Sequence, residues 1–238
     1  MKDFFTIIGG MGTPATESYI RLLNARTPAH RDQDYLNYIL VNHATVPDRS
    51  TYLMDHSQPN PYPDLLEDIQ QQSRLNPAFF VIACNTAHYF YDDLQKATEI
   101  PIVHMPRETV KQIKKEFPAA KRIGIIGTPG TTTDGIYDRE LIAEGYEVVK
   151  PTPEIQDLTS KLIFEDIKAQ NKVDAQLFYQ ILRLMTEERG AQVVILGCTE
   201  LSYAQEMAHD HSYPVVDSQS VLVDRSIELA LNCLLYTS

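Results

Sequence analysis

The chain predicts an α/β fold made of two similar doubly wound domains, each with a parallel sheet. Three observations predict it. Short, uninterrupted apolar runs alternate with helix-length stretches nearly throughout, the pattern of a parallel sheet covered on both faces. A strand followed by a glycine turn occurs twice: Ile7-Ile8-Gly9-Gly10-Met11-Gly12-Thr13 and Ile125-Ile126-Gly127-Thr128-Pro129-Gly130-Thr131 agree at five of seven positions. A strand followed by a cysteine also occurs twice, at Cys84 and Cys198, each a little over seventy residues after its glycine turn.

In the first half, strands are expected at 4–8, 36–42, 79–83 and 101–103, and helices at 14–26, 63–75 and 86–97. Thr13 reads as the N-cap of the first helix, with Pro14 suited to its first turn. Residues 43–63, with Pro47, Pro59, Pro61 and Pro63 and little periodicity, read as a functional loop or lid. In the second half, strands at 122–126, 146–149, 193–196 and 214–216 alternate with helices at 133–144, 154–169, 173–189 and 200–208. A terminal helix at about 219–235 is expected to pack back onto the first half, giving domains of 1–105 plus 214–238 and of 106–213.

Composition narrows the function. The 238 residues are 43% hydrophobic, ordinary for a globular protein and enough for one large domain or two compact ones. The net charge of −11 argues against nucleic acid or an anionic membrane as a partner, and it obliges any anionic substrate to be held by local positive groups. No apolar run approaches the ~20 residues of a membrane span, and Met1-Lys2-Asp3-Phe4 enters the first strand at once, so a cytoplasmic protein is expected. Three cysteines without a Cys-x-x-Cys pair favour free thiols over a disulfide framework or a zinc site. Cys233, in the apolar stretch 227–235, reads as a packing residue. Seven histidines scattered without ligand spacing make no case for a metal, and no lysine motif for pyridoxal phosphate is present.

Cys84 and Cys198 carry the candidate chemistry. Each ends a buried apolar run, and in open α/β sheets ligands bind beyond the carboxyl ends of the strands. The glycine turns let a ligand approach the backbone, and the helix N-termini that follow favour anions.

Taken together, Gly9-Gly10-Met11-Gly12 with Pro14-Ala15-Thr16, Asn42-His43-Ala44 with Pro47-Asp48-Arg49, Cys84-Asn85-Thr86-Ala87-His88 and Gly197-Cys198-Thr199-Glu200-Leu201 resemble the aspartate/glutamate racemase family, most closely its aspartate racemases. The likeness spans nearly the whole chain. It implies two domains related by pseudo-two-fold symmetry, an active site in the cleft between them, no cofactor, and a homodimer. It also implies that Cys84 and Cys198 are the two catalytic acid/base groups acting on an acidic amino acid.

Racemisation removes the Cα proton on one face and returns one on the other, so two acid/base groups must flank a planar carbanion. Asn85, Thr86 and Thr199 are placed to donate to the substrate carboxylate, and the backbone N–H groups of Met11, Gly12 and Thr128 can add to them. The resemblance implies carboxylate anchors at Arg49 and Lys168. Glu200 is positioned to orient a hydroxyl or the substrate ammonium, while His88 and His43 read as neutral, hydrogen-bonded residues. Three other readings remain open. One is a racemase for glutamate or another amino acid, although glutamate racemases usually carry Asp-Ser-Gly where this chain has Gly9-Gly10-Met11-Gly12. Another is a cysteine-dependent decarboxylase or isomerase of the same superfamily, and the third is a non-catalytic module that binds acidic amino acids.

Overall fold

The computed structural model describes residues 2–208 and 212–235, with side chains in the last helix described as far as residue 232. The chain divides into two compact units, Met1–Met105 with Gln219–Ser238, and Pro106–Ser218.

The first unit is built on four parallel strands: β1 (Phe5–Gly9), β2 (Tyr38–Asn42), β3 (Phe80–Ile82) and β4 (Ile102–Val103), in the order β2-β1-β3-β4. The apolar runs are continuous because β1 and β3 are buried on both faces. Phe5, Ile7 and Val81 join one cluster, with Tyr19 and Leu23 of helix Thr13–Arg26 and with Leu222, Val223, Ile227 and Ala230 of helix Ser218–Leu235. Ile8, Phe80 and Ile82 face the opposite cluster, with Leu65 and Ile69 of helix Tyr62–Ser73 and Leu94 of helix Tyr91–Lys96. The terminal helix therefore packs onto this unit as expected, and the buried Tyr19 hydroxyl donates to Ser226 Oγ at 2.7 Å.

The second unit repeats the plan. Strands β5 (Arg122–Gly127), β6 (Glu147–Val149), β7 (Val193–Gly197) and β8 (Val215–Asp217) lie in the order β6-β5-β7-β8, all parallel. Taken position by position, β5 corresponds to β1 and β7 to β3. Both glycine turns therefore follow the first strand of a sheet and both cysteines follow the third. All eight strands lie where the apolar runs place them.

Several details differ from the sequence reading. Gly12, not Thr13, is the N-cap of the first helix, and Pro14 sits one position further in. Residues 43–63 include a short helix, Arg49–Met54, started by the Asp48 carboxylate accepting from Thr51 N at 2.8 Å. An unexpected helix, Met105–Glu116, follows β4; Pro106 near its start and an otherwise polar sequence conceal it, although Val110 and Ile113 are buried. The helix expected at 133–144 is split into Pro129–Thr133 and Asp138–Ala143 by a turn containing Gly135, whose φ is +67°. The helix expected at 86–97 opens as a 3₁₀ turn, Thr86–Phe90. Those expected at 154–169 and 173–189 start as regular α-helices and continue as π-helical segments, Lys161–Lys168 and Leu184–Glu188. The return of the chain to the first unit comes at Gln219, later than the expected residue 214, because Val215–Asp217 pair with β7. The expected packing of Cys233 lies outside the described side chains.

Gly10 shows why the first turn needs glycine. Its φ of +88° disfavours any L side chain, and a Cβ there would stand 2.5 Å from the His43 carbonyl carbon and 2.6 Å from His43 N. Gly10→Ala is therefore expected to cost roughly 1–3 kcal/mol in backbone strain alone, read as a lowered urea midpoint, with a further loss from displacing the end of β2.

Candidate active site

In each sheet the chain leaves the two central strands in opposite directions, which opens a crevice at their carboxyl ends. Cys84 occupies that edge in the first unit and Cys198 in the second, with 5% and 6% of their surface exposed. Both are free cysteines.

Cys84 begins a buried polar turn that includes Asn85, Thr86 and His88. His88 braces it. Its Nε2 accepts from Met105 N at 3.2 Å, so the ring proton lies on Nδ1, which donates to the Cys84 carbonyl at 2.8 Å. Burial pushes the His88 pKa down, so the ring is neutral as the sequence reading expects, and it positions Cys84 through the backbone. A proton taken up by the unfolded chain near the ordinary pKa of 6.5 must be surrendered on folding. The His88 contribution is thus complete above pH ~6.5 and is lost as pH falls below it, by up to ~1.4 kcal/mol per pH unit. Urea titrations are expected to show a steeper loss of stability below pH ~6.5 in the wild type than in His88→Gln, whose amide can serve both partners.

Opposite this turn on the same sheet, Met11 is buried and Arg49 is 8% exposed. The Arg49 guanidinium donates to the carbonyls of Met11 at 2.8 Å, Pro47 at 3.1 Å and Val46 at 3.4 Å. The cation is thereby fixed against the first glycine turn, where the Gly12 carbonyl accepts from both Thr16 N and Thr16 Oγ1. His43, at the end of β2, places Nδ1 2.9 Å from the buried Asp68 carboxylate. Burial raises the Asp68 pKa, with His43 acting against it. Asp68 escaped the sequence reading. The available signal was a carboxylate on the apolar face of helix Tyr62–Ser73, between Leu65 and Ile69.

In the second unit Cys198 is the N-cap residue of helix Thr199–Met207. Its thiol donates to Glu200 Oε2 at 2.8 Å, an oxygen that also accepts from Thr199 Oγ1 at 3.3 Å. Lys168, at the end of the π-helical segment, places Nζ 3.7 Å from Glu200 Oε1 and 4.9 Å from the centre of the Phe164 ring. Burial pushes the Cys198 pKa well up, the Glu200 charge adds to it, and Lys168 opposes it. Thr128 caps Pro129–Thr133 and, with Thr131, Thr132 and Gln156, ties that turn to the Gly127 carbonyl. The structure thus gathers Met11, Gly12, Arg49, Cys84, Asn85 and Thr86 at the carboxyl edge of one sheet, and Thr128, Lys168, Cys198, Thr199 and Glu200 at the carboxyl edge of the other.

Residues 8–225 match the family model for Asp/Glu/Hydantoin racemase. The chain belongs to this racemase family. The chain is similar to a broad-specificity amino-acid racemase of Bacillus subtilis, 24% identical over 94% of this chain and 97% of that protein. The fold is similar to that of a Picrophilus torridus aspartate racemase, with a TM-score of 0.79 and 26% identity over 95% of this chain and 94% of that one. It is also similar to an aspartate racemase homologue from Pyrococcus horikoshii, with a TM-score of 0.76 and 26% identity over 96% and 99% of the two chains. Family membership makes the protein an isomerase of the racemase type, on an α/β scaffold with two four-stranded parallel sheets. Among the described residues, no helix is long and apolar enough to cross a membrane.

Proposed function

We propose that the protein interconverts L- and D-aspartate without a cofactor, with Cys84 and Cys198 as the two acid/base groups. The observation that carries this reading is the equivalent placement of the two thiols, each following the third strand of a parallel sheet and each joined to side-chain donors by the next residues of the chain.

In the forward half-reaction a thiolate takes the proton from one face of Cα. The electron pair delocalises into the α-carboxylate, and the partner thiol delivers a proton to the opposite face. Asn85, Thr86 and Thr199 supply donors for the charge that develops on the carboxylate, joined by the backbone N–H groups of Met11, Gly12 and Thr128. Arg49 and Lys168 hold the substrate carboxylates, while Glu200 serves Cys198 and the substrate ammonium. The exchange of roles between the thiols makes the reverse reaction equivalent. This chemistry requires both sulfurs to reach one Cα. We further propose that the protein acts as a homodimer in the cytoplasm.

Aspartate is favoured because proteins described as aspartate racemases, or as homologues of them, share the fold over nearly the whole chain. A broader substrate range is the second reading, favoured by the likeness to the Bacillus subtilis racemase. Incubation with single L-amino acids and no added cofactor, followed by chiral chromatography, tests both. D-aspartate forming fastest is the expected result, a spread over neutral amino acids supports the broader range, and no D-product from any of them rejects the proposal.

A further inference from the structure

We infer that Glu200 keeps Cys198 in the thiol form in the free protein, which makes Cys198 the proton donor of the resting enzyme and Glu200 its positioning residue. The donor role rests on the racemase reading; the protonation of Cys198 does not.

The geometry is short and closed. Cys198 and Glu200 lie at the start of one helix, and the S–H group points at Oε2 from 2.8 Å while both residues are shielded from water. A thiolate at that sulfur would face a carboxylate oxygen across the same distance, with little solvent to screen the repulsion. Two influences oppose this, the helix N-terminus and the Lys168 ammonium, whose Nζ lies 3.7 Å from the far oxygen, Oε1. Tyr137 also senses Cys198, as well as Asp217, which Ser202 Oγ holds at 2.5 Å. Burial keeps the Tyr137 hydroxyl protonated, so it brings no charge to the sulfur. Desolvation and Glu200 together outweigh the helix and Lys168.

The contact accounts for both directions of turnover. When Cys198 acts as acid, its S–H bond breaks as the Cα–H bond forms, and repulsion from Glu200 favours reprotonation of the resulting thiolate by solvent water once the product has left. When Cys198 must act as base, its proton passes to Oε2, the S–H bond breaking and an O–H bond forming, so the pair keeps one negative charge until the thiolate takes the Cα proton and that charge passes to the substrate carbanion.

The test needs no turnover. With Cys84→Ser and Cys233→Ser, Cys198 is the only thiol left in the chain. Its alkylation by iodoacetamide is followed against pH, with rates scaled to the high-pH plateau. Glu200→Gln keeps an acceptor oxygen but removes the charge. The expected result is a midpoint lower by about one pH unit or more, and a roughly tenfold faster reaction at a pH below both midpoints. Glu200→Asp withdraws the carboxylate by one methylene and is expected to lower the midpoint by less, which supplies the test if the amide variant does not fold. Lys168→Met is expected to move it upward. An unchanged or raised midpoint in the Glu200 variants overturns the inference while leaving the racemase proposal standing. A lowered midpoint, alongside wild-type protein that racemises no amino acid, rejects that proposal and leaves the protonation of Cys198 intact.

Discussion

Cys84→Ala and Cys198→Ala are each expected to lower kcat for racemisation by at least ~10³-fold, since each removes an acid/base group that no neighbouring side chain replaces. The fold should persist in both, because each change removes only a small buried side chain at the end of a strand. The two losses should differ in kind. With Cys198 absent, Cys84 can still exchange the α-proton of one enantiomer with solvent, and with Cys84 absent, Cys198 can exchange that of the other. In deuterated water, NMR of each variant with each aspartate enantiomer should therefore give opposite patterns: exchange without inversion, confined to a different enantiomer in each case. Full turnover in either variant, or the same enantiomer exchanged by both, rules out the assignment.

Arg49→Ala should have the next largest effect, and on two properties. The guanidinium holds the Met11, Val46 and Pro47 carbonyls from a site only 8% exposed, so its removal strands buried acceptors and loosens the first glycine turn. Charge-assisted hydrogen bonds are worth roughly 1.5–3 kcal/mol each and are not additive. A loss of about 2–4 kcal/mol in stability by urea titration is expected, together with at least a tenfold rise in KM for aspartate. Arg49→Lys should recover little of either, because a single ammonium cannot span the same carbonyls. An unchanged KM alongside lowered stability would confine Arg49 to the loop and remove it from the substrate.

Much of this scaffold is legible in the sequence because central parallel strands are buried on both sides. Phe79-Phe80-Val81-Ile82 and Val193-Val194-Ile195-Leu196 are unbroken apolar runs for that reason, and each cysteine is readable because it stands two residues past the end of one. Helix ends and interruptions are less legible, since they depend on local hydrogen bonding. Asp48 starts a helix inside a proline-rich segment, Gly135 splits one that the periodicity predicts as continuous, and Pro106 hides one that forms. Within the site, the neighbours in sequence of each thiol were visible, while contacts made through space were not. Glu200 stands two residues from Cys198 and is an obvious candidate, but only the direction of its side chain shows that it accepts from the sulfur. The His43–Asp68 pair joins two elements, and the hold of Arg49 on Met11 spans most of the first half of its unit.

The most direct measurement of the central claim is the isotopic content of the first D-aspartate formed from L-aspartate by the wild-type protein in deuterated water. Two thiols working on opposite faces predict product carrying deuterium at Cα from the earliest time points, while the remaining L-aspartate keeps its protium. Early D-aspartate that retains the original proton would mean that a single group carries it from one face to the other, and would contradict the account.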